Sequence, residues 1–444
     1  MNEPVSVILV GIGGYGEVYL SALPDEMRRG RCRLTAAVDP SPERCSRLAE
    51  LRSQGVPIYS SMEELPARTD SDELMVISSP IHLHCPHTCQ ALARGSYVLC
   101  EKPAAATVQE VDQMIESRDH AGRFVAIGYQ WSYSSPIQRL KQDIQAGLFG
   151  QPRRLKSLCL WPRDASYYGR NSWAGRLRDD QGRWVLDSPA NNAMAHDLHN
   201  MLYVLGDRVE TSAVSSSATS HGKVAADVLV GRSAGQERNP PSGSDTSANP
   251  AEVTAETYRA NPIENFDTAA VRIRTTSGVE VLFFGSHAVR ENMDPVFNFE
   301  FDDAVVSFAG GQSPIAARFK NGTHKEYASP LSEPQAAKLS ICLDAIANGG
   351  TIPCGLEAAK SQTICVNGIH ESMPQATEFP AELVSQTGEG PKRLVYVEAL
   401  AEILRRSFDS GLLPSEIGVP WARRGWAIDV RDYGWFPGGG PPRR

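Results

Sequence analysis

Six residues near the start of the chain, Gly11-Ile12-Gly13-Gly14-Tyr15-Gly16, follow the apolar run Val7-Ile-Leu-Val10 and precede a helix-like stretch from Glu17. Their G-x-G-x-x-G spacing gives each glycine a separate role. Gly11 permits a tight turn, Gly13 lets the backbone approach a pyrophosphate, and Gly16 lets a helix pack close to a strand. The context matters, because the same spacing outside a strand-to-helix junction carries little information. Asp39 ends the next strand-like segment, where a carboxylate would accept hydrogen bonds from ribose hydroxyls and repel a 2′-phosphate. The pattern predicts a dinucleotide site that takes NAD, with Arg44 nearby leaving NADP open.

Two further groups carry chemistry. Ser79-Pro80 and His84 follow one strand-like run, and Cys100-Glu101-Lys102-Pro103 ends another. An ammonium there would lie in the crevice at the carboxyl ends of the strands. Downstream, Asp187-Ser-Pro-Ala-Asn191-Asn192-Ala-Met-Ala-His196-Asp-Leu-His199-Asn200 puts Asn192 and His196 four residues apart on one helix face, continued by His199 and Asn200. The histidines at 82, 84, 87, 196 and 199 lack the companion ligands of a metal site, so loop packing and capping are expected of the first three and no metal is assigned.

These residues need a frame. Strand-like runs at Val5 to Val10, Leu34 to Val38, Leu74 to Ser78, Tyr97 to Cys100 and Phe124 to Ile127 alternate with helix-like stretches at Glu17 to Leu23, Pro42 to Leu51, His84 to Ala93 and Val108 to His120. That rhythm predicts a doubly wound parallel sheet over residues 1–130. Residues 131–376 then predict an α+β domain with an open, mostly antiparallel sheet. Its strands fall at Leu155 to Trp161, Ala270 to Thr275, Val279 to Gly285, Phe297 to Phe301 and Val305 to Phe308. Helices are expected at Pro136 to Gln145, Ala193 to Leu205, Ala336 to Ala347 and Leu356 to Met373. Residues 233–253 hold too few apolar groups to offset the entropy of ordering and predict a mobile insertion. Residues 377–444 form a C-terminal extension with a frayed Gly/Pro-rich end.

Composition narrows the function. With 41% hydrophobic and 22% charged residues and a net charge of −8, the chain offers no basic field for nucleic acid. No apolar run has membrane-spanning length, and the start lacks a signal-peptide pattern. Nine scattered cysteines without C-x-x-C spacing predict free thiols in a reducing compartment, the cytoplasm.

The glycine loop, Ser79-Pro80, His84 and above all the Glu101-Lys102-Pro103 triplet make the chain resemble the glucose-fructose oxidoreductase, inositol dehydrogenase and rhizopine catabolism (Gfo/Idh/MocA) family. The resemblance runs from Val5 to about Gly206, and more loosely through the second domain. It implies a Rossmann domain, NAD(P)-dependent hydride transfer at a hydroxyl or carbonyl carbon of a sugar or cyclitol, and a homo-oligomer formed through the sheet of the second domain. It also implies that Gly11 to Gly16, Asp39, Ser79, Pro80, His84, Glu101 and Lys102 face the cofactor. Lys102 would stabilise charge, and His196 would occupy the histidine of the family's Asp-x-Gly-x-His pattern as acid/base.

The chain departs from that pattern at Asn192 and Met194, where Asn192 can orient a hydroxyl but cannot carry charge. Asn191, Asn192 and His199, with Trp161, Arg163, Tyr167 and Arg170, are the expected substrate contacts. The aromatic and basic stretch from Trp161 to Trp173 offers stacking rings and hydrogen-bond forks, and Arg163 also suits a carboxylate or phosphate. The segment Tyr258 to Asn265 is a candidate binding loop. Two alternatives share the site: a glycosidase that uses the nicotinamide transiently, and a regulator that senses sugar or cofactor without catalysis.

Overall fold

The computed structural model describes residues 3–68, 72–207 and 245–438. Strands β1 (Val5–Val10), β2 (Cys32–Val38), β3 (Ile58–Tyr59), β4 (Glu73–Ile77), β5 (Tyr97–Cys100) and β6 (Val125–Ile127) form a sheet in the order β3-β2-β1-β4-β5-β6. All its pairings are parallel. β1 and β4 are buried along their whole length, which is why they read as unbroken apolar runs and not as alternating ones. Helices α1 (Gly16–Arg28), α2 (Leu48–Ser53), α3 (Ile81–Ala93) and α4 (Val108–Ala121) make the crossovers. The strand order reverses between β1 and β4, so the loops after β1, β4 and β5 converge on the crevice where ligands bind in such sheets.

The expected helix from Pro42 to Leu51 is split. Pro42–Arg44 forms one tight turn, Cys45 then adopts extended backbone (ψ 121°), and α2 starts only at Leu48. Burial of the Cys45 side chain against the core accompanies that break.

The second domain is built on a larger sheet. Its strands are β7 (Pro152–Leu160), β8 (Pro250–Arg259), β9 (Thr268–Thr275), β10 (Glu280–Ser286), β11 (Met293–Phe301), β12 (Ala304–Phe308), β13 (Ile315–Phe319), β14 (His324–Tyr327) and β15 (Thr377–Glu378). Their order is β14-β13-β12-β11-β7-β10-β9-β8-β15. Only β7 with β10 and β8 with β15 pair in parallel along this path, so the sheet is mostly antiparallel, as the α+β expectation required. Helices α5 (Ser135–Gln145), α6 (Ala165–Tyr168), α7 (Ala195–Val204), α8 (Ala337–Asn348) and α9 (Leu356–Ser372) complete the domain. Residues of α7 and α9 share a core with the β7, β9 and β10 side chains Leu155, Val271 and Phe283.

The strand alternation sends the intervening side chains, Leu158, Leu160, Ala270, Leu282 and Phe284, to the opposite face. There they meet the C-terminal extension. It comprises the hairpin β16 (Val384–Thr387) and β17 (Leu394–Val397), helix α10 (Leu400–Ser410), and β18 (Ile428–Asp429), which pairs with β8. Leu400, Leu404 and Leu413 of the extension pack on this face. The surface expected to meet a second copy of the chain is therefore occupied, over β7, β9 and β10, by the chain itself. Of the segment 233–253, residues 233–244 lie outside the described residues, while Pro250–Val253 open β8 in place of the expected loop. The extension is folded through residue 438, and the end expected to fray, from 439, lies outside the described residues.

Candidate active site

The glycine turn is shaped by what a side chain would strike. At Gly11, whose φ is +85°, an added Cβ would lie 2.9 Å from the Ser78 carbonyl. At Gly16 it would lie 2.2 Å from the Gly11 oxygen. Both positions therefore exclude any larger residue for reasons internal to the fold. Gly13 differs: the nearest atom, the Arg44 carbonyl oxygen, is 3.9 Å away, so its missing Cβ leaves open space at the turn. A pyrophosphate fits that cradle.

Asp39 lies beside it, its two oxygens accepting from the amides of Ile12 (3.0 Å) and Ser41 (2.8 Å). A carboxylate has about four acceptor positions, so capacity remains for ribose hydroxyls. Ile12 itself is buried and spends its amide on Asp39, which makes it part of the support and not a ligand contact.

The next layer corrects two expectations. His84 is buried in α3, and its ring nitrogens lie 2.8 Å from the Ser79 carbonyl oxygen and 2.7 Å from that of Pro103. It ties the loops after β4 and β5 together, with no ring atom left for a cofactor. Burial holds it below the usual histidine range. Glu101 is likewise turned inward. It accepts from Tyr19 Oη (2.5 Å) and pairs with Lys338 Nζ, a fully buried cation that also donates to the Gly128 carbonyl (3.2 Å) and Tyr15 Oη (3.2 Å). Glu101 thus anchors the strand end from which Lys102 projects. Lys338 went unnoticed in the sequence, where its one signal is a lone lysine inside the apolar helix Ala336-Ala-Lys338-Leu-Ser-Ile-Cys-Leu.

Lys102 reaches across to the second domain. Its Nζ donates to the Asn192 carbonyl (2.7 Å) and to Asn192 Oδ1 (3.1 Å). Residues Pro189–Ala193 form a single π-turn, capped by Ser188 and closed by Met194 N–H on the Pro189 carbonyl (2.8 Å). The widened turn presents both oxygens of Asn192 to one cation; such π-turns are frequent at functional sites. The Asn192 amide donates to Asp187 Oδ1 (2.7 Å), whose other oxygen accepts from the Gly175 amide (2.6 Å) and lies 3.5 Å from Arg170.

The departure at Asn192 acquires a physical meaning here. The negative charge sits five residues earlier, at Asp187, and an aspartate at 192 would set two carboxylates against each other. The asparagine amide instead relays between carboxylate and ammonium. Leu186, just before Asp187, holds φ at +51°, a strained backbone for a branched residue. Burial pushes the Lys102 ammonium down to about 8, against the opposing pull of Glu101.

His196 opens α7, with its Nδ1 enclosed and without a hydrogen-bond partner among the described residues. Burial, then the charges of Lys102 and Lys338, hold it well below the usual range, so it is a neutral imidazole near pH 7. Its neighbour Asp197 is buried and pushed up to about 8.

Two expected substrate contacts are core residues instead. Asn191 is fully buried and donates to the Val185 carbonyl (3.2 Å). His199 is stacked on Tyr129 with centroids 3.8 Å apart, beside Ser132 and Cys354. His199 lies one turn deeper along the helix face it shares with His196, whose ring meets Tyr129 edge-on at 5.8 Å.

The stretch from Trp161 to Trp173 does gather. The Arg170 guanidinium carbon lies 3.8 Å from the Tyr167 ring centroid, and Arg163 lies 4.7 Å from the same ring and 5.5 Å from that of Trp161. His287, which the sequence did not single out, stands 5.5 Å from Tyr167. The segment from Tyr258 to Asn265 supports this region from behind: Asn265 donates to the Asp187 carbonyl (3.1 Å), Asn261 binds Asp267, and Tyr258 is core. It positions Asp187. Among the described residues, no three or more His, Cys, Asp or Glu side chains form a metal-binding group. No described helix is long and apolar enough to cross a membrane.

Residues 5–129 match the profile of the Gfo/Idh/MocA oxidoreductase family, NAD-binding Rossmann fold. The chain is 30% identical over 187 residues to the 1-carboxy-3-chloro-3,4-dihydroxycyclohexa-1,5-diene dehydrogenase of Comamonas testosteroni, covering 42% of this chain and 45% of that protein. Inositol 2-dehydrogenase of Rubrobacter xylanophilus is 27% identical over 211 residues, 47% of this chain and 54% of its own. The chain thus spans about half the length of the curated relatives it matches. Among solved structures, the WlbA dehydrogenase of Bordetella pertussis, in complex with NADH and UDP-GlcNAcA, superposes with a TM-score of 0.62 at 17% identity, over 84% of this chain and 97% of that one. At that identity the likeness establishes the fold.

Proposed function

From the match of residues 5–129 to the Gfo/Idh/MocA oxidoreductase family, NAD-binding Rossmann fold, we propose that the chain moves a hydride between a nicotinamide cofactor and a hydroxyl-bearing carbon of a sugar, cyclitol or related polyol. The observation that carries this reading is the convergence of Lys102, from the end of β5, with the Asn192 turn and His196 of the second domain. The bound nicotinamide supplies the hydride acceptor or donor. Gly13, Gly14 and Tyr15 form the cradle for its pyrophosphate, and Asp39 accepts from the ribose, a carboxylate that favours NAD over NADP.

Lys102 is the fixed cation for an alkoxide developing on the substrate oxygen. Its position is set twice, by the Asn192 oxygens and by the inward anchor of Glu101 on Lys338. His196, neutral near pH 7, takes the hydroxyl proton in oxidation and returns it in reduction. Asn192 and Asp187 keep the ammonium aimed. The inositol dehydrogenase and the dehydrogenase of a dihydroxycyclohexadiene among the relatives support the substrate class.

The test is anaerobic absorbance at the reduced-nicotinamide band, with NAD or NADP and a panel of hexoses, cyclitols and aldonates. A signal with NAD is expected, with kcat reduced at least a hundredfold in both Lys102→Ala and His196→Ala. The kcat/KM profile should fall above about pH 8, as Lys102 loses its proton, and show no break near pH 6.5 from His196. Bound cofactor without turnover anywhere on the panel would overturn the dehydrogenase reading.

A further inference from the structure

Around the Tyr167 ring the candidate site gathers basic side chains. Lys102, Arg170 and Arg163 supply three cations, and among the described residues three carboxylates are hydrogen-bonded into the contacts around them: Asp187 through Asn192, Asp164 through the Tyr167 amide (3.2 Å) and Asp294 through Trp161 Nε1 (3.4 Å). Glu101 is committed to Lys338, and Asp197, pushed up to about 8, is neutral near pH 7. Arg170 is itself satisfied, donating to the Tyr167 carbonyl (2.6 Å) and lying against Asp187.

Arg163 is different. Its Nε is buried without a hydrogen-bond partner among the described residues, and two aromatic rings flank its guanidinium. Buried unpaired donors are rare in folded proteins and call for an explanation. The guanidinium also hydrogen-bonds the Tyr167 side chain, and the N–H left over, at Nε, lies on the edge that matches one oxygen of a planar carboxylate. His287 adds a second vacant group nearby. Its Nδ1 donates to the Trp161 carbonyl (2.8 Å), so the buried Nε2, also unpartnered among the described residues, is left as an acceptor suited to a hydroxyl.

We propose that the substrate is an acid, a polyhydroxy compound whose carboxylate is bound by Arg163 while a neighbouring hydroxyl donates to His287 Nε2. This deepens, and rests on, the oxidoreductase reading. The carboxylate is the specificity handle, and Lys102 and His196 act on a hydroxyl elsewhere in the same molecule.

Calorimetric binding to the NAD-saturated protein tests it directly, with D-gluconate and D-glucuronate as acid probes, D-glucitol and D-glucose as neutral counterparts, and glucose 6-phosphate as the other anion. The acids should bind at least tenfold tighter than the neutral compounds. Arg163→Gln should erase that preference, and Arg163→Lys should retain part of it, with circular dichroism of both variants matching the wild type. Equal or absent binding of acids and neutral compounds, a preference that survives in Arg163→Gln, or tighter binding of the phosphate than of either acid would overturn the proposal. Nicotinamide absorbance on the same samples separates the two ideas. Turnover of neutral polyols without acid preference leaves the oxidoreductase reading intact and sinks this one. Arg163-dependent acid binding without any turnover does the reverse.

Discussion

The two halves of the candidate site are held together by different means. The cofactor half lies within the first parallel strands: Ser78 Oγ donates to the Gly11 carbonyl, Asp39 accepts from the Ile12 amide, and Gly11 and Gly16 pack against the backbone of Ser78 and Gly11. The substrate half is assembled from afar. Trp161 N–H donates to the Ser286 carbonyl (3.0 Å), Arg163 N–H to that of His287 (3.2 Å), and Ala165 N–H to that of Arg393 (2.9 Å), in the C-terminal extension. A site built this way can change its substrate through distant segments while its grip on the dinucleotide stays fixed.

Substitutions within the glycine turn should give the largest effects and split by mechanism. Gly16→Ala forces a Cβ to 2.2 Å from the Gly11 oxygen, so backbone must move. Loss of NADH binding together with a lower melting temperature is expected. Gly13→Ala meets nothing nearer than 3.9 Å in the fold, so the melting temperature should hold while NADH affinity, read by fluorescence titration, drops at least tenfold. Equal destabilisation by both would erase the distinction between a packing glycine and a ligand-facing one.

The extension should yield the next largest effect. Leu404 is fully buried on the outer sheet face with Leu158, Leu282 and Phe284. Leu404→Asp places a charge there and should cost about 3 kcal/mol or more. Two readouts sharpen the comparison. NADH affinity of the folded protein should be unchanged, because α10 touches none of the glycine turn, while substrate KM should rise as the support at Arg393 loosens. Size-exclusion chromatography should also show association through the uncovered apolar face. A variant that loses NADH affinity first would mean the halves are coupled.

This asymmetry also explains what could be read in advance. The glycine turn, Asp39 and the strand rhythm of the first domain were legible because their causes are short-range: steric room at one residue, burial on both faces of a strand, a turn between them. Lys102 and the Asn192–His196 face were legible as residue types at a spacing. What spacing alone could not show is direction. Glu101 and His84 point inward because Lys338 and two carbonyls, supplied by other segments, satisfy them there. Asn191 and His199 fell to the core because the Val185 carbonyl and the Tyr129 ring, supplied by other segments, enclose them there. The extension was opaque for a related reason. Its apolar stripe has no intrinsic partner, and the face it covers is defined only once the strands of the large sheet are paired.

The last prediction concerns charge at the substrate half. Asp197 is buried beside Lys102 and titrates in the fold at about 8, above its unfolded value near 3.9. A folded pKa raised above the unfolded one contributes stability that is fully present below the unfolded value and is lost as pH rises through the folded value. The window is therefore about pH 4 to 8. Asp197→Asn removes the titrating group while keeping its shape, so its stability should not fall across that window. The advantage of the variant over the wild type should grow between pH 5 and pH 8 by an amount on the order of a few kcal/mol, measured as the difference in denaturation midpoints. A constant difference between pH 5 and pH 8 would mean that Asp197 is already ionised in the fold. The substrate half would then carry one more negative charge, and its preference for an acid would rest on Arg163 alone.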